Sequence, residues 1–224
     1  MNINFFNNSI SRFKYFNTSF MIQFLDFKDI WLFNCCEGCQ YILNNNNCKI
    51  NNISKIIITD MHINNISGLM GLLSSLNLIG RIKSLHIYAP KDLVDYLNLC
   101  KKYSHTNFSY IVYIHILKTG LVINSDQYRL YSFVNDFQYE FIIMELEQYG
   151  KFILSKAREN YLIPGPLYGK LKRGVDFILP DGFSLNGNDF TVINLFGSQL
   201  SFLLNKYYKR RNIESSMKSN IIFY

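Results

Sequence analysis

Lys55-Ile56-Ile57-Ile58-Thr59-Asp60-Met61-His62-Ile63-Asn64-Asn65-Ile66-Ser67-Gly68-Leu69 decides the fold class. Residues 55–59 are a continuous apolar run of strand length, the pattern of a strand covered on both faces. Residues 60–65 turn polar and read as a loop. Residues 66–78 then carry the spacing of a helix, with Gly68 and Gly71 on it. A buried strand that empties into a polar loop and then a helix is where α/β proteins usually place their chemistry.

The flanking sequence repeats the alternation. Upstream, strands are predicted over 2–6, 20–27 and 30–33, with Asp26-Phe27-Lys28-Asp29 as a hairpin turn between the last two, and a short helix over 37–43. Downstream come a strand at 84–88, a helix at 90–103, a strand at 109–117 and further strands within 128–146. Strands and helices in this order give an α/β fold with helices covering a sheet. Residues 161–179 contain two of the four prolines and three of the twelve glycines, which predicts an extended loop or arm. The tail over 201–212 is predicted to be helical and ends in Lys206, Lys209, Arg210 and Arg211; a solvated helix face is the simplest reading of those charges. Asn44-Asn45-Asn46-Asn47 is a polar loop tip, and there are no internal repeats.

Composition limits the function classes. At 224 residues the chain suits one domain, 1–224, and 49 % hydrophobic against 17 % charged residues excludes a disordered protein. The net charge of +7 favours a polyanionic partner. Asn, Ile, Phe, Tyr and Lys are abundant while Ala89 and Ala157 are the only alanines, a bias toward AT-rich codons that points to an organelle genome, a plastid in particular, and otherwise to the cytoplasm. The N-terminus does not read as a transit peptide, and no run reaches the ~18–20 apolar residues of a membrane span, so a soluble protein with no membrane partner is expected. Five cysteines, an odd number, fit a reducing compartment. Cys36-Glu37-Gly38-Cys39 spells a CxxC, but no second Cys/His pair stands at zinc-ribbon spacing, so it reads as incidental.

Four motifs carry a family resemblance. They are Leu32-Phe33-Asn34-Cys35-Cys36-Glu37-Gly38-Cys39-Gln40, Gly68-Leu69-Met70-Gly71-Leu72-Leu73-Ser74-Ser75, Ile87-Tyr88-Ala89-Pro90-Lys91, and Pro164-Gly165-Pro166-Leu167-Tyr168-Gly169-Lys170-Leu171-Lys172-Arg173-Gly174. They are similar to the LFDCGEGTQ, GLPGLLSS, IYGPKG and PGPLYGKLKxG motifs of the ribonuclease Z branch of the metallo-β-lactamase superfamily, and the likeness runs from about residue 1 to 199. It implies an αββα sandwich, incomplete at the C-terminus, with a protruding exosite arm at about 150–179. It also implies a role in tRNA 3′-end processing, a tRNA precursor as partner, and zinc as the cofactor of intact members.

Carried over residue by residue, the implied metal site is degraded. The family's His-x-His-x-Asp-His loop is Asp60, His62, Asn64 and Asn65 here, leaving His62 and Asp60 as residual metal ligands. Asn64 stands where the family has its proton-transferring Asp, and a neutral amide can neither take up that proton nor offset a metal's charge. A later family His aligns with Asn135, and the Gly-Asp-Thr motif aligns at best with Gly197-Ser198-Gln199. No cofactor is therefore expected.

The arm motif, by contrast, is kept. Gly165, Pro166, Gly169, Lys170, Lys172 and Arg173 match the family's tRNA-clamping exosite, and Lys14, in a weakly kept N-terminal box that also retains Asn17, adds a further RNA contact. Prolines stiffen such a segment, glycines let backbone approach closely, and the cations face phosphates. Three readings stay open on sequence: a non-catalytic tRNA-binding subunit, working as a homodimer or beside an intact ribonuclease Z subunit; a divergent active metal-dependent endonuclease; and an eroded relic.

Overall fold

A computed structural model describes residues 2–5, 19–24, 29–135, 138–147, 150–192, 197–203, 210, 214, 216, 217, 219 and 221–223. Its first sheet begins with three antiparallel strands, β1 (Asn2–Phe5), β2 (Phe20–Phe24) and β3 (Asp29–Phe33). From β3 the sheet continues parallel through β4 (Ile53–Ile57), β5 (Leu85–Ala89) and β6 (Val112–Ile116), in spatial order β1-β2-β3-β4-β5-β6. Parallel neighbours require crossovers. These are helices α1 (Cys39–Asn45), α2 (Ile63–Ile66) with α3 (Leu69–Leu78), and α4 (Leu93–Ser104).

The strands alternate two apolar sets. Leu32, Ile56 and Ile87 pack with Leu43 of α1, Leu69, Leu72, Leu73 and Leu76 of α3, and Leu93 and Leu97 of α4. Trp31, Phe33, Ile57 and Tyr88 point the other way, into a second core shared with the second sheet. That sheet is β13-β12-β9-β8-β7, built from β7 (Gly120–Asn124), β8 (Tyr128–Asn135), β9 (Gln138–Glu145), β12 (Gln199–Phe202) and β13 (Ile221–Phe223). Phe20 stacks on Phe33 and on Phe202, each at 4.5 Å between centroids, so aromatic rings join the two sheets. The described residues thus form a helix layer on a two-sheet sandwich. Among them no helix is long and apolar enough to cross a membrane.

The buried Arg81 clamps the turn after α3. Its guanidinium donates to the carbonyls of Lys83 (2.8 Å), Asn51 (3.1 Å) and Ser84 (2.9 Å), fixing the two loops that precede β4 and β5. Tyr110 beside it donates to the Leu73 carbonyl at 3.0 Å, and burial pushes its phenol up to about 12.

Three expectations need correction. The helix predicted over 66–78 is two pieces broken at Ser67-Gly68, where Gly68 lies against the backbone of Cys36 with no room for a side chain. The tail predicted as helical from 201 begins as strand: Leu200 and Phe202 alternate into the inter-sheet core, a period of two that a helix cannot satisfy. Residues 161–179 are not extended throughout, since they contain a helix, described below. Of the basic tail, Arg210 is helical and pairs with Glu214 at 2.7 Å; Lys206, Lys209 and Arg211 lie outside the described residues, as does the predicted turn at 26–28.

Candidate functional site

Thr59 and Asp60 emerge from the end of β4 and meet a short connection that leaves β3 beside it. Asn34 there adopts φ 55°, and its Oδ1 accepts from the Thr59 amide at 2.9 Å and from Thr59 Oγ1 at 3.1 Å. Asp60 is buried. Its Oδ1 accepts from Asn65 Nδ2 at 2.6 Å and from the His62 amide at 2.8 Å, and Thr59 Oγ1 lies 3.4 Å from its Oδ2. The backbone closes the arrangement: Cys35 N donates to Asn65 O at 2.7 Å and Gly68 N to Cys35 O at 2.9 Å. Asn34, Thr59, Asp60 and Asn65 therefore form one hydrogen-bonded lattice. Without it a buried carboxylate would be costly.

His62 caps α2. Its Nδ1 accepts from the Asn64 amide at 3.3 Å, which puts the neutral ring's proton on Nε2, while the imidazole itself is exposed. Asn64 is exposed as well. A zinc ion wants four donors with free lone pairs, or three and a water. The loop offers a carboxylate whose Oδ1 already takes two hydrogen bonds and an imidazole whose Nδ1 is engaged. Asn65 turns N–H hydrogens toward Asp60 where the family has an imidazole lone pair. Among the described residues no group of three or more His, Cys, Asp or Glu side chains comes together that could hold a metal. These donors do not fit the zinc of the intact family.

The other two predicted ligand positions separate. Asn135 ends β8 opposite Gln138, and the next residue of β9, Tyr139, donates its amide to Thr59 O at 3.0 Å, so the backbone at 135 reaches the loop end of the sandwich. Gly197-Ser198-Gln199 does not. Ser198 Oγ donates to Glu145 Oε2 at 2.5 Å, at the other end of β9. A seven-residue step along a strand sets it about 20 Å from the loop. β12 runs antiparallel to β9, with Gln199 opposite Met144 and Phe202 opposite Phe141, so this motif starts at the end of the strand away from the loop.

The CxxC thiols are buried in the helix-side core. Cys35, beside them, is pushed up chiefly by burial, and Cys39 is pushed down by a hydrogen bond from Cys35. None of the five cysteines is in a disulfide among the described residues.

The arm motif folds around a core of its own. Helices α5 (Leu154–Glu159) and α6 (Pro166–Lys172) and the two-stranded ribbon β10 (Phe177–Ile178) with β11 (Ser184–Leu185) bury Ala157, Leu162, Leu171, Leu185 and Phe190 together. Tyr168 Oη donates to Leu162 O at 2.7 Å. At its base the segment closes through Ile153 N on Phe190 O (2.8 Å) and Val192 N on Lys151 O (3.0 Å). Gly187 is needed for packing: a Cβ there would lie 2.6–2.8 Å from the backbone of Gly174 and Val175. Lys170, Lys172 and Arg173 are exposed around the buried Leu171, as are Gly165, Pro166 and Gly169. Lys170 Nζ lies 5.7 Å from the Phe177 ring. Lys14 lies outside the described residues.

The lattice predicts a stability effect at Asp60. Asp60→Ala removes the oxygen that accepts from both Asn65 Nδ2 and the His62 amide, at a cost of about 2 kcal/mol. A lower urea midpoint is the expected result, and an unchanged midpoint would remove the lattice's role.

Comparison with known proteins places this arrangement. No family model matches the chain. It is 38 % identical to the ycf56 protein of Porphyra purpurea, over 94 % of this chain and 82 % of that one. It is 36 % identical to a ribonuclease Z of Acaryochloris marina, over 88 % of this chain and 63 % of that one. A ribonuclease Z of Nostoc sp. is 32 % identical over 88 % of this chain and 62 % of its own length. The chain thus spans less than two thirds of these enzymes. Among solved structures, the metallo-β-lactamase fold protein YhfI of Bacillus subtilis superposes with a TM-score of 0.54 over 92 % of this chain and 61 % of that one; at 9 % identity this speaks for the fold alone. The chain is thus a relative of the ycf56 proteins, belongs to the ribonuclease Z family and has a metallo-β-lactamase fold.

Proposed function

We propose that this protein binds tRNA precursors through the arm at 151–192 and does not itself cut them. The observation that carries the reading is a contrast within one chain. The arm presents Lys170, Lys172 and Arg173 to solvent on a well-packed core, while the loop ties its one buried carboxylate to an amide. Phosphate contacts from exposed cations position RNA without reading its sequence, which suits a partner that must accept many tRNAs. An inert subunit of this kind works as a homodimer that delivers tRNA, or paired with an intact ribonuclease Z subunit whose metals do the hydrolysis. The setting we propose is a plastid, supported by the AT-rich residue usage and by the ycf56 relatives in red algae.

The test mixes purified protein with a 3′-extended tRNA precursor, with and without added Zn²⁺ or Mn²⁺. Retention of the precursor on the protein with no cleavage after the discriminator base is the expected outcome. Metal-dependent cleavage with stoichiometric zinc would establish the divergent-enzyme reading instead.

A further inference from the structure

A second cationic feature lies at the end of β4 opposite the Asp60 loop. A cavity of about 550 Å³ opens where the loops before β4 and β5 meet, lined by Lys55, Arg81, Lys83 and His86 with a single carboxylate, Asp29. Lys55 and His86 are cross-strand partners on β4 and β5, and the Asp60 loop leaves the opposite end of β4. Five residues of strand separate the two by about 15 Å, so the cavity is a distinct place on the protein.

Its groups are arranged, and three cations, Lys55, Arg81 and Lys83, face the one carboxylate. Arg81 is spent on three carbonyls, which makes it a fixed charge that also holds the rim loops in place. The ammonium of Lys55 sits 4.9 Å from the Trp31 ring centroid, and burial presses its pKa down although Asp29 pulls it up. Ser54 Oγ, also in the lining, is buried without a hydrogen-bond partner. His86 is held by His115, Nδ1 to Nε2 at 3.0 Å, and stacks on Tyr113 at 5.0 Å. A partly desolvated ammonium and an orphaned hydroxyl, beside the fixed positive charge of Arg81, are groups that a phosphoryl group would satisfy together.

We infer that this cavity binds a phosphoryl dianion, carried by a free ligand of nucleotide size or by an RNA terminus. The volume falls within the ~300–1,000 Å³ range of small-ligand sites. The site does not depend on the arm's role in binding tRNA.

Calorimetric titration at 0.15 M salt tests it, using protein whose arm is neutralised by Lys170→Gln, Lys172→Gln and Arg173→Gln so that arm contacts do not contribute. The probes are pyrophosphate, a ribonucleoside monophosphate and a 5′-phosphorylated oligoribonucleotide, each compared in a Lys55→Gln/Lys83→Gln background. Saturable pyrophosphate or mononucleotide binding that falls at least tenfold in that background supports the site, with a free ligand as occupant. The same loss seen only for the phosphorylated oligoribonucleotide supports it with RNA as occupant. Lys83→Gln alone, an exposed change that leaves the core intact, is expected to lower affinity about threefold. Absence of saturable binding by any probe, or binding that both lysine variants leave unchanged, would overturn the inference.

Discussion

Replacing Lys170, Lys172 and Arg173 together by glutamine is expected to weaken binding of a tRNA precursor about 100-fold at 0.15 M salt, and to flatten its salt dependence by 2 to 3 units of slope. Each cation that neutralises a phosphate releases a counterion, worth roughly 0.7–0.9 in the slope of log K against log salt. Each contributes on the order of 1 kcal/mol near a polyanionic surface, so three give about two decades. Geometry supports treating the three as a set. Successive helical residues step by 100°, so the two lysines flank the buried Leu171 on either side and Arg173 projects nearly opposite it. None of the three forms an ion pair with an acid among the described residues, so their charge is not already compensated. The substitutions leave Leu171 and the Tyr168 hydrogen bond in place, so the arm should keep its fold and a loss can be read as lost phosphate contact. Measured across 50–200 mM salt, equal affinity and equal slope for both proteins would show that RNA binding, if present, uses another surface.

How much of this could be read from the sequence depended on whether a feature was local. The arm's cations were legible because the whole motif is contiguous, and so was the loss of imidazoles at Asn64 and Asn65. The arm's core was not: it draws Ala157 and Leu162 from before the motif and Leu185 and Phe190 from after it, at spacings that carry no periodic signal. The lattice escaped for the same reason. It needs Asn34, twenty-five residues from Thr59, held at a positive φ that sequence alone does not report. The Gly197-Ser198-Gln199 alignment failed on register, since a motif match says nothing about which end of a strand a residue occupies, whereas pairing of Gln199 with Met144 does. Strand β7 was missed because its residues are nearly all partly or fully exposed, which leaves little alternation to detect.

Gly68→Ala should be among the most damaging single changes in the protein. Gly68 is the N-cap of α3 at φ −82°, a backbone conformation open to any residue, so backbone strain does not oppose the substitution. Sterics oppose it: the added Cβ would lie 2.0 Å from the Cys36 carbonyl oxygen, 3.0 Å from its carbon and 3.1 Å from Cys39 Sγ. The obstacle is backbone, and it cannot retreat freely, because Gly68 N is bonded to Cys35 O and Cys35 N to Asn65 O. Relief must open the seam between the β3–α1 connection and the start of α3, which also carries Asn65 and through it the Asp60 lattice. An overpacked site of this kind costs about 3 kcal/mol or more. Set against a domain stability of about 5–15 kcal/mol, that is enough to lower the urea midpoint sharply and to cut the yield of folded protein. Gly71→Ala, one turn along the same helix, is the control: its Cβ would meet only the Gln40 side-chain amide, at 3.3–3.4 Å, and that flexible group can move aside. The pair should therefore separate by about 2 kcal/mol or more although both exchange a glycine at α3 for alanine. Matching midpoints for the two variants would mean that α3 does not press against the Cys35-Cys36 backbone, and the hydrogen-bonded arrangement around Asp60 would have to be rebuilt from a different packing.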